Sequence, residues 1–174
     1  MSVGDDLAKV IRNVPDFPIP GILFRDITTL LQDPAAFHRA VDAMIEPFRG
    51  AGVEVVAGVE SRDFIFATPV AYALSAGFVP VRKLGRLPAE SIRVEYALEY
   101  GTNTLEMHRD AIRPGQRVLV VDDLLATGGT ALAAIDLIKQ LGGEIVGAAF
   151  LVELVDLGGR QKLGAENVHS VVRY

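Results

Sequence analysis

This chain lacks several features that would commit it to a particular chemistry or to a membrane. Its 174 residues include no cysteine, which excludes disulfide bonds, thiolate metal sites and a cysteine nucleophile. No apolar run is long enough to cross a bilayer, and the first residues lack an apolar signal core. The formal net charge of −5 disfavours indiscriminate nucleic-acid binding. We therefore expect a cytoplasmic protein that binds neither a membrane nor nucleic acid.

The residues that are present favour a compact α/β protein. Half of the chain is hydrophobic, and 17 glycines are spread along it. Short apolar segments alternate with segments of helical periodicity, which predicts a mostly parallel sheet flanked by helices in a single domain over residues 1–174. The predicted strands are 53–59, 78–81, one beginning at 118, 145–152 and 168–172. The predicted helices are 34–48, 64–75, 130–141 and 158–163, after a short helix near residues 7–11.

Residues 117–130, which read RVLVVDDLLATGGT, carry the clearest functional signal. The apolar run is typical of a strand buried on both faces, and ligands of parallel sheets bind beyond the carboxyl ends of their strands. Asp122 and Asp123 fall at that end. Gly128 and Gly129 allow the backbone to approach a ligand, and the start of the following helix favours an anion.

Two adjacent carboxylates beside an anion site suit a ligand with two different parts. Carboxylates repel phosphate but accept hydrogen bonds from vicinal sugar hydroxyls, so a phosphorylated ribose fits both. A P-loop and a dinucleotide-binding fingerprint are excluded because neither glycine pattern occurs. The alternative is a buried strand that ends in an ordinary aspartate helix cap.

Residues 84–103 show no strong core periodicity, and a loop of this length inside a compact domain is usually functional or disordered. We predict a flexible catalytic lid here, with a short hairpin arm around residues 92–96. Residues 16–21 contain two prolines and one glycine, which predicts an irregular, fairly rigid segment.

The motif at 117–130 resembles the phosphoribosyl-pyrophosphate (PRPP) site of type I phosphoribosyltransferases. Further blocks resemble the adenine phosphoribosyltransferases of that family: DFPIPGILFRDIT at 16–28, GVESR at 58–62, VPVRK at 79–83 and YALEYG at 96–101. They follow the family's order between about residues 16 and 154. The resemblance implies a single-domain type I phosphoribosyltransferase fold that converts adenine and PRPP into AMP and pyrophosphate, with Mg²⁺ carried by PRPP and water, and with a homodimer as the default assembly.

The resemblance also implies roles for individual residues. Glu99 matches the proton-handling group of the lid, Arg62 belongs to the pyrophosphate loop, and Tyr100 could help to orient the reacting groups. Asp122 and Asp123 would bind the ribose hydroxyls. The 5′-phosphate would be held by Ala126, Thr127, Gly128, Gly129 and Thr130. Candidates to neutralise pyrophosphate are Arg82, Lys83 and Arg86. Adenine would be read by backbone groups of Leu23 and Arg25 and stacked on Phe24, with Leu154 as a candidate for the opposite wall.

Each of these roles has a simpler alternative. The basic residues could form a solvated rim, Glu99 could face solvent, and Phe24 could belong to the core. Other readings of the whole chain are a transferase for hypoxanthine, guanine or xanthine, and a non-catalytic PRPP-sensing regulator. A regulator of that kind needs a DNA-binding module, and no basic helix-turn-helix pattern precedes the block at residue 16.

Two positions depart from the family pattern. Arg86 replaces a lysine of the lid and keeps its charge. Asp63 replaces a glycine that usually follows the serine–arginine pair, and a carboxylate near bound pyrophosphate would repel it. We therefore predict that the Asp63 side chain points toward the following helix, whose N-terminus favours a negative charge.

Overall fold

The computed structural model describes residues 2–97, 101–164 and 166–174. Within these ranges the strands are β1 (Arg12–Pro15), β2 (Leu23–Asp26), β3 (Val55–Val59), β4 (Gly77–Lys83), β5 (Ser91–Ala97), β6 (Thr102–His108), β7 (Arg117–Leu125), β8 (Glu144–Glu153) and β9 (Val168–Arg173). The α-helices are α1 (Val3–Ala8), α2 (Thr28–Gln32), α3 (Pro34–Ile45), α4 (Phe64–Ala73), α5 (Gly129–Gln140) and α6 (Gly159–Leu163). Short 3₁₀ helices lie at Glu46–Phe48 and Val155–Leu157. These elements match the predicted α/β alternation.

Seven strands form one sheet in the order β5-β6-β4-β3-β7-β8-β9. The neighbours from β4 to β9 pair in parallel, whereas β6 pairs antiparallel with both β4 and β5. The central strands β3 and β7 are buried along nearly their whole length. Burial on both faces is the usual condition of parallel strands. The sheet is therefore mixed but mostly parallel, which confirms the predicted fold class.

Two hydrophobic clusters cover the two faces of this sheet, and β7 contributes to both. Leu119 and Val121 pack in a cluster with buried residues of α3 and α4. Val118 and Val120 pack in a second cluster with buried residues of α5. Successive side chains of a strand point to opposite faces, so the continuous apolar run of β7 fills both layers. This packing fixes the position of the strand end that carries Asp122 and Asp123.

The segment 84–103 is more regular than the sequence suggests. Its described part contains a turn followed by β5, which pairs with β6 from Ser91–His108 to Ala97–Thr102. Residues 92–96, where a short hairpin arm is predicted, form one strand of a hairpin, and its second strand, β6, is absent from the sequence prediction. Movement of this segment as a lid stays a prediction.

A separate two-stranded sheet lies outside the main one. Strands β1 and β2 pair antiparallel, and the irregular segment predicted at 16–21 forms the connection between them. The Gly21 N–H donates to the Asp16 carboxylate at 2.8 Å, which closes this turn. The small sheet brings residues 22–28 toward the ends of β7 and β8.

The carboxyl ends of the parallel strands meet at one edge of the main sheet, where a doubly covered sheet binds ligands. The connections after β3 and β7 lie at this edge, beside the end of β4. A search of the described residues found no helix with both the length and the apolar character required to cross a bilayer.

Candidate active site

The connection from β7 to α5 forms one wall of a cavity of about 530 Å³. Residues 122–131 line it, so the predicted phosphate loop at 126–130 faces open space. Gly128 has a φ of +80°, a left-handed conformation that favours glycine. A Cβ at this position would also lie 2.8 Å from the Gly159 carbonyl oxygen. The loop can therefore keep this shape only with glycine at position 128.

The other side of the same loop rests on the backbone of α6. A Cβ at Gly159 would meet the Ala126 carbonyl oxygen and come within 2.8 Å of the Leu125 side chain. Gly159 therefore allows the two backbones to approach closely. The sequence analysis missed this role, and the paired glycines at 158–159 were the only available signal. The phosphate loop is held between α5 and α6.

Asp122 and Asp123 lie at the end of β7 and are both buried. Asp122 accepts a hydrogen bond from the Leu124 N–H at 3.2 Å. Asp123 forms an ion pair with Arg62, whose Nε lies 3.2 Å from Oδ2 of Asp123. Arg62 is more than half exposed and lines the cavity. The structure therefore brings together the predicted ribose and pyrophosphate residues.

Asp63 does not adopt the predicted orientation. It stands at the start of α4 but makes no side-chain hydrogen bond to that helix. Its Oδ2 instead accepts a hydrogen bond from the Val59 N–H at 3.1 Å, and its carboxyl group lies beside those of Asp122 and Asp123. Asp63 is 7% exposed and lines the cavity. The prediction that it points toward the helix is wrong, because the buried end of β3 and the acid pair supply its partners.

Three carboxyl groups thus share one buried corner of the cavity. Oxygens of Asp63, Asp122 and Asp123 lie within 4.8 Å of one another. Burial raises the pKa of Asp63 and of Asp123 to about 7. The charge of Asp123 acts in the same direction on Asp63, and that of Asp122 does so on Asp123, whereas Asp122 lowers the pKa of Asp63. Burial and the proximity of Asp63 raise the pKa of Asp122 well above its usual range. The cluster therefore holds protons near neutral pH rather than a full charge on every carboxyl group.

The predicted basic residues are not equivalent. Lys83 lines the cavity, whereas Arg82 donates a hydrogen bond from Nε to the Glu60 carboxylate and lies outside the cavity wall. Glu60 also accepts from the Lys83 N–H at 3.1 Å. Burial acts to raise the pKa of Glu60, but these hydrogen bonds outweigh it and lower the value. Arg86 is exposed and does not line the cavity, although its charge also stabilises the Glu60 carboxylate.

The loop that follows β3 carries Arg62 into the cavity, and its Glu60–Ser61 peptide is cis. Ser61 lines the cavity beside Arg62.

The β5–β6 hairpin contributes Leu105 and two polar cavity residues that were not predicted from the sequence. The Tyr96 hydroxyl lies 3.2 Å from the Thr130 hydroxyl in the phosphate loop, and Asn103 donates to the Tyr96 hydroxyl at 3.4 Å. Both residues line the cavity. Their position depends on the pairing of β5 with β6, which the sequence pattern did not reveal. Glu99 and Tyr100, predicted to act in the lid, lie outside the described residues.

A second cavity of about 330 Å³ opens beside the first. The predicted base-recognition residues Leu23, Phe24 and Arg25 line it, and Leu154 forms part of the wall. Phe24 is only partly buried and belongs to neither hydrophobic cluster. Most of the exposed wall is apolar, which suits the face of an aromatic base.

Three residues line both cavities: Arg62, Asp123 and Leu124. The two cavities therefore meet at the carboxyl end of β7.

The Arg25 side chain is directed to the C-terminal residue of the chain. Its guanidinium lies 3.7 Å from the centre of the Tyr174 ring, and it donates to the Asn13 side chain at 2.5 Å. Tyr174 is itself anchored, because its N–H donates to the Glu153 carbonyl at 2.9 Å. These contacts engage the Arg25 charge with Tyr174 and Asn13, and Arg25 also forms part of the wall of the second cavity.

The carboxyl groups of the first cavity could in principle bind a divalent cation. The three clustered carboxyl groups are close enough to contact one ion, but each already has a protein partner: the Val59 N–H, the Leu124 N–H or Arg62. We therefore assign no protein ligand to a metal. Mg²⁺ commonly binds through phosphate oxygens of a ligand and keeps several waters, and such an ion needs no dedicated protein ligands.

The comparisons with known proteins agree with this geometry. The family model for the phosphoribosyl transferase domain matches residues 26–171. The fold and the site thus define the class, and the chain belongs to the phosphoribosyltransferase family.

Similar relatives narrow the class. A curated protein of Solibacter usitatus, named adenine phosphoribosyltransferase, is 58% identical over 169 residues, which cover 97% of this chain and 98% of the relative. A crystal structure of adenine phosphoribosyltransferase from Rhodothermus marinus is 51% identical, with a TM-score of 0.93 over 99% of this chain and 98% of that one. The Saccharomyces cerevisiae enzyme, complexed with an imino-altritol bisphosphate and adenine, is 38% identical, with a TM-score of 0.92 and 98% coverage of both chains.

Proposed function

We propose that this chain transfers the 5-phosphoribosyl group from PRPP to adenine and releases AMP and pyrophosphate. The observation that carries the proposal is the junction of the two cavities. A polar cavity with a phosphate loop meets an apolar cavity of a size suited to a base, and they share Arg62, Asp123 and Leu124. A ribose bound between them would present its anomeric carbon to a base in the second cavity.

The transferred group would be held from both ends. Backbone N–H groups at the start of α5, with the hydroxyls of Thr127 and Thr130, would donate to the 5′-phosphate. Asp122 and Asp123 would bind the ribose hydroxyls. The negative charge of Asp123 also lies where positive charge develops on the ribose as the bond to pyrophosphate breaks, and such placement stabilises a transition state.

The leaving group carries negative charge and needs cations nearby. Arg62 and Lys83 line the cavity and would contact the pyrophosphate. Arg82 would act indirectly, because its ion pair with Glu60 supports the loop that carries Arg62. Arg86 is exposed and would reach the pyrophosphate only if residues 84–103 close over the site. Mg²⁺ bound to the pyrophosphate oxygens would neutralise further charge as the C–O bond breaks.

Bond formation joins the imidazole nitrogen of adenine to the anomeric carbon, and that nitrogen must lose its proton. We assign the proton to Glu99, with Tyr100 as an orienting group, on the resemblance of the segment 96–101 to the family's lid. A carboxylate at the imidazole edge of adenine can accept or relay this proton.

Recognition of the base would depend on the backbone of β2. A carbonyl at this strand accepts a hydrogen bond from the exocyclic amine of adenine. The same carbonyl would face the carbonyl of hypoxanthine or guanine and leave two acceptors unpaired, which is costly in a buried site. Phe24 would stack on one face of the purine, and Leu154 would contact the other.

The proposal is tested by measuring AMP formation from adenine, PRPP and Mg²⁺, with guanine and hypoxanthine as competitors. We expect adenine to be consumed and the other purines to compete weakly. Preferential consumption of hypoxanthine or guanine would redirect the proposal to another base. If the protein binds PRPP but releases no pyrophosphate from it with any purine, the non-catalytic PRPP-sensing regulator would be favoured.

We further propose a homodimer in the cytoplasm. Helix α4 is apolar on its outer side as well as its inner side, with Ile65 exposed and Tyr72 89% exposed. An apolar helix face in water favours a protein contact. Light scattering should give the mass of two chains, and Tyr72→Glu should shift the protein toward the monomer. A monomeric parent protein at micromolar concentration would overturn this part of the proposal.

A further inference from the structure

The acid cluster contains one carboxyl group more than the ribose site requires. Asp122 and Asp123 can bind two neighbouring hydroxyls by themselves, and the family resemblance places a glycine where this chain has Asp63. Yet Asp63 is buried and is held by a defined contact, the hydrogen bond from the Val59 N–H at 3.1 Å. Its position in the site therefore requires a physical explanation.

The surroundings of Asp63 contain more negative than positive charge. The charged groups that face it are Asp122 and Asp123 from β7 and Arg62 from its own loop. Arg62 is paired with Asp123 and is more than half exposed, so it cannot neutralise all three carboxylates. Lys83, at the end of β4, lines the same cavity, and the Glu60 carboxylate is occupied by Arg82. Three full negative charges in this corner would repel one another and any phosphate nearby.

A proton between two of the carboxyl groups resolves this conflict. Oxygens of Asp63 and Asp122 lie within 4.8 Å of each other at a buried site, and two carboxyl groups can share a hydrogen bond only if one of them is protonated. Burial and the neighbouring Asp63 raise the pKa of Asp122 well above its usual range, so we assign the proton to Asp122. Asp63 accepts from the Val59 N–H at 3.1 Å and lies beside Asp122, so it links the end of β7 to the end of β3.

We propose that Asp63 is a positioning residue of the ribose site, which shares a proton with Asp122 and so fixes that side chain and limits the negative charge facing the substrate. Asp122 is then a neutral, oriented group, and Asp123 is the carboxylate that faces both cavities. The catalytic consequence of this division of roles rests on the proposed phosphoribosyl transfer. The shared proton itself does not depend on that function.

The consequence for catalysis is a specific dependence on pH. As pH rises through about 7, Asp63 and Asp123 lose protons, the cluster gains negative charge, and its affinity for the polyanionic PRPP falls. In Asp63→Asn the amide can accept from the Val59 N–H and donate to the Asp122 carboxylate. This variant keeps both contacts without a proton, so its cluster charge changes less with pH.

The first experiment measures KM for PRPP at saturating adenine between about pH 6 and about pH 8.5. We expect the KM of the parent protein to rise about fivefold across this range and that of Asp63→Asn to rise about twofold or less. The ionisation of PRPP is common to both proteins and cancels in the comparison. Asp110→Asn, an exposed aspartate in the turn before β7, is the control for a change in net charge and should follow the parent profile. Coinciding profiles for the parent and Asp63→Asn would overturn the proposal.

The second experiment needs no turnover. Infrared spectroscopy of the free parent protein near neutral pH should show the C=O stretch of a protonated carboxylic acid, and this band should weaken as pH rises or when Asp63 is replaced by Asn. Absence of the band in the parent protein at about pH 6 would overturn the shared proton even if the enzyme is active. Its presence in a protein that makes no AMP would instead locate the failure in the proposed function.

Discussion

The two cavities of the site are built in different ways. The polar cavity lies on the ends of β3 and β7, two central strands whose side chains fill both hydrophobic clusters. The apolar cavity lies largely on β2, which belongs to a two-stranded sheet held by side-chain contacts such as those of Arg25 with Asn13 and Tyr174. The polar half of the site is therefore part of the core, and the apolar half, where we propose that the base binds, is attached to it.

The reaction requires both stabilisation of charge and discrimination between bases, and the two cavities would meet these requirements separately. Charge in the transition state must be met by groups that do not move, since reorganisation would cancel the electrostatic benefit. Discrimination between bases needs only a few backbone groups in the correct register. If the two halves are as independent as their construction suggests, substitutions in one should change the handling of its own ligand and leave the other nearly unaffected.

The largest effect should come from the residue to which we assign the proton transfer. Glu99→Gln would remove the proposed proton acceptor and should lower kcat about 10³-fold, with KM for both substrates changed much less, because the residues that line the two cavities are unchanged. Steady-state kinetics measures this, and Glu95→Gln in β5 is the matched control. Normal turnover in Glu99→Gln would remove this residue from the mechanism.

A substitution in the phosphate loop should affect the polar half alone. Gly128→Ala places a Cβ 2.8 Å from the Gly159 carbonyl oxygen at a φ of +80°. We expect kcat/KM for PRPP to fall about 10²-fold through a displaced loop. Adenine binding, measured by calorimetry, should change little. Gly115→Ala is a suitable control, since its φ of +78° imposes the same strain with no atom within 4 Å of the added Cβ. Equal losses in the two variants would mean that strain rather than the clash is responsible.

The corresponding substitution in the apolar half is Phe24→Ala. Loss of a stacked ring should raise KM for adenine about tenfold, since stacking of a base on an aromatic ring contributes about 1–3 kcal/mol. KM for PRPP should stay close to the parent value. A comparable increase in both KM values would show that the two halves are coupled through the end of β7.

The smallest effect concerns stability. The pKa values of Asp63 and Asp123 are raised to about 7 in the folded protein, above their ordinary values, so folding takes up protons. Stability should therefore fall as pH rises from about 4 through about 7, and the cost is complete above that range. Asp63→Asn removes part of it, so the fall in Tm from about pH 5 to about pH 8 should be a few degrees smaller than in the parent protein. Thermal melts monitored by circular dichroism test this, and a parallel fall in both proteins would contradict the raised pKa of Asp63.

The sequence located the wall of the polar cavity at residues 122–130 because the signal there is local. A buried strand, two aspartates, a glycine loop and a helix follow one another within residues 117–130, so the order along the chain is also the order in space. The roles of Tyr96 and Asn103 were missed for the opposite reason. They reach the cavity only through the pairing of β5 with β6, which depends on contacts beyond the local pattern.

The orientation of Asp63 was also beyond a local argument. Near the start of a helix an aspartate usually accepts from the first N–H groups, as Asp33 does at α3, where it accepts from Ala35 and Ala36. At Asp63 the neighbouring strand end and the acid pair supply the competing partners, and their proximity follows from the parallel pairing of β3 with β7. The short strands β1 and β2 were missed because none of their residues is buried and they lack a regular apolar alternation.

The attachment of Arg25 to Tyr174 has a practical consequence for protein engineering. Because the guanidinium is taken up by the ring of Tyr174 and by Asn13, the walls of the apolar cavity can be varied at positions 22–24 without releasing an unpaired charge into it. Variant libraries confined to those positions can be screened for transferases that accept modified purines, while the residues proposed to bind PRPP stay unchanged.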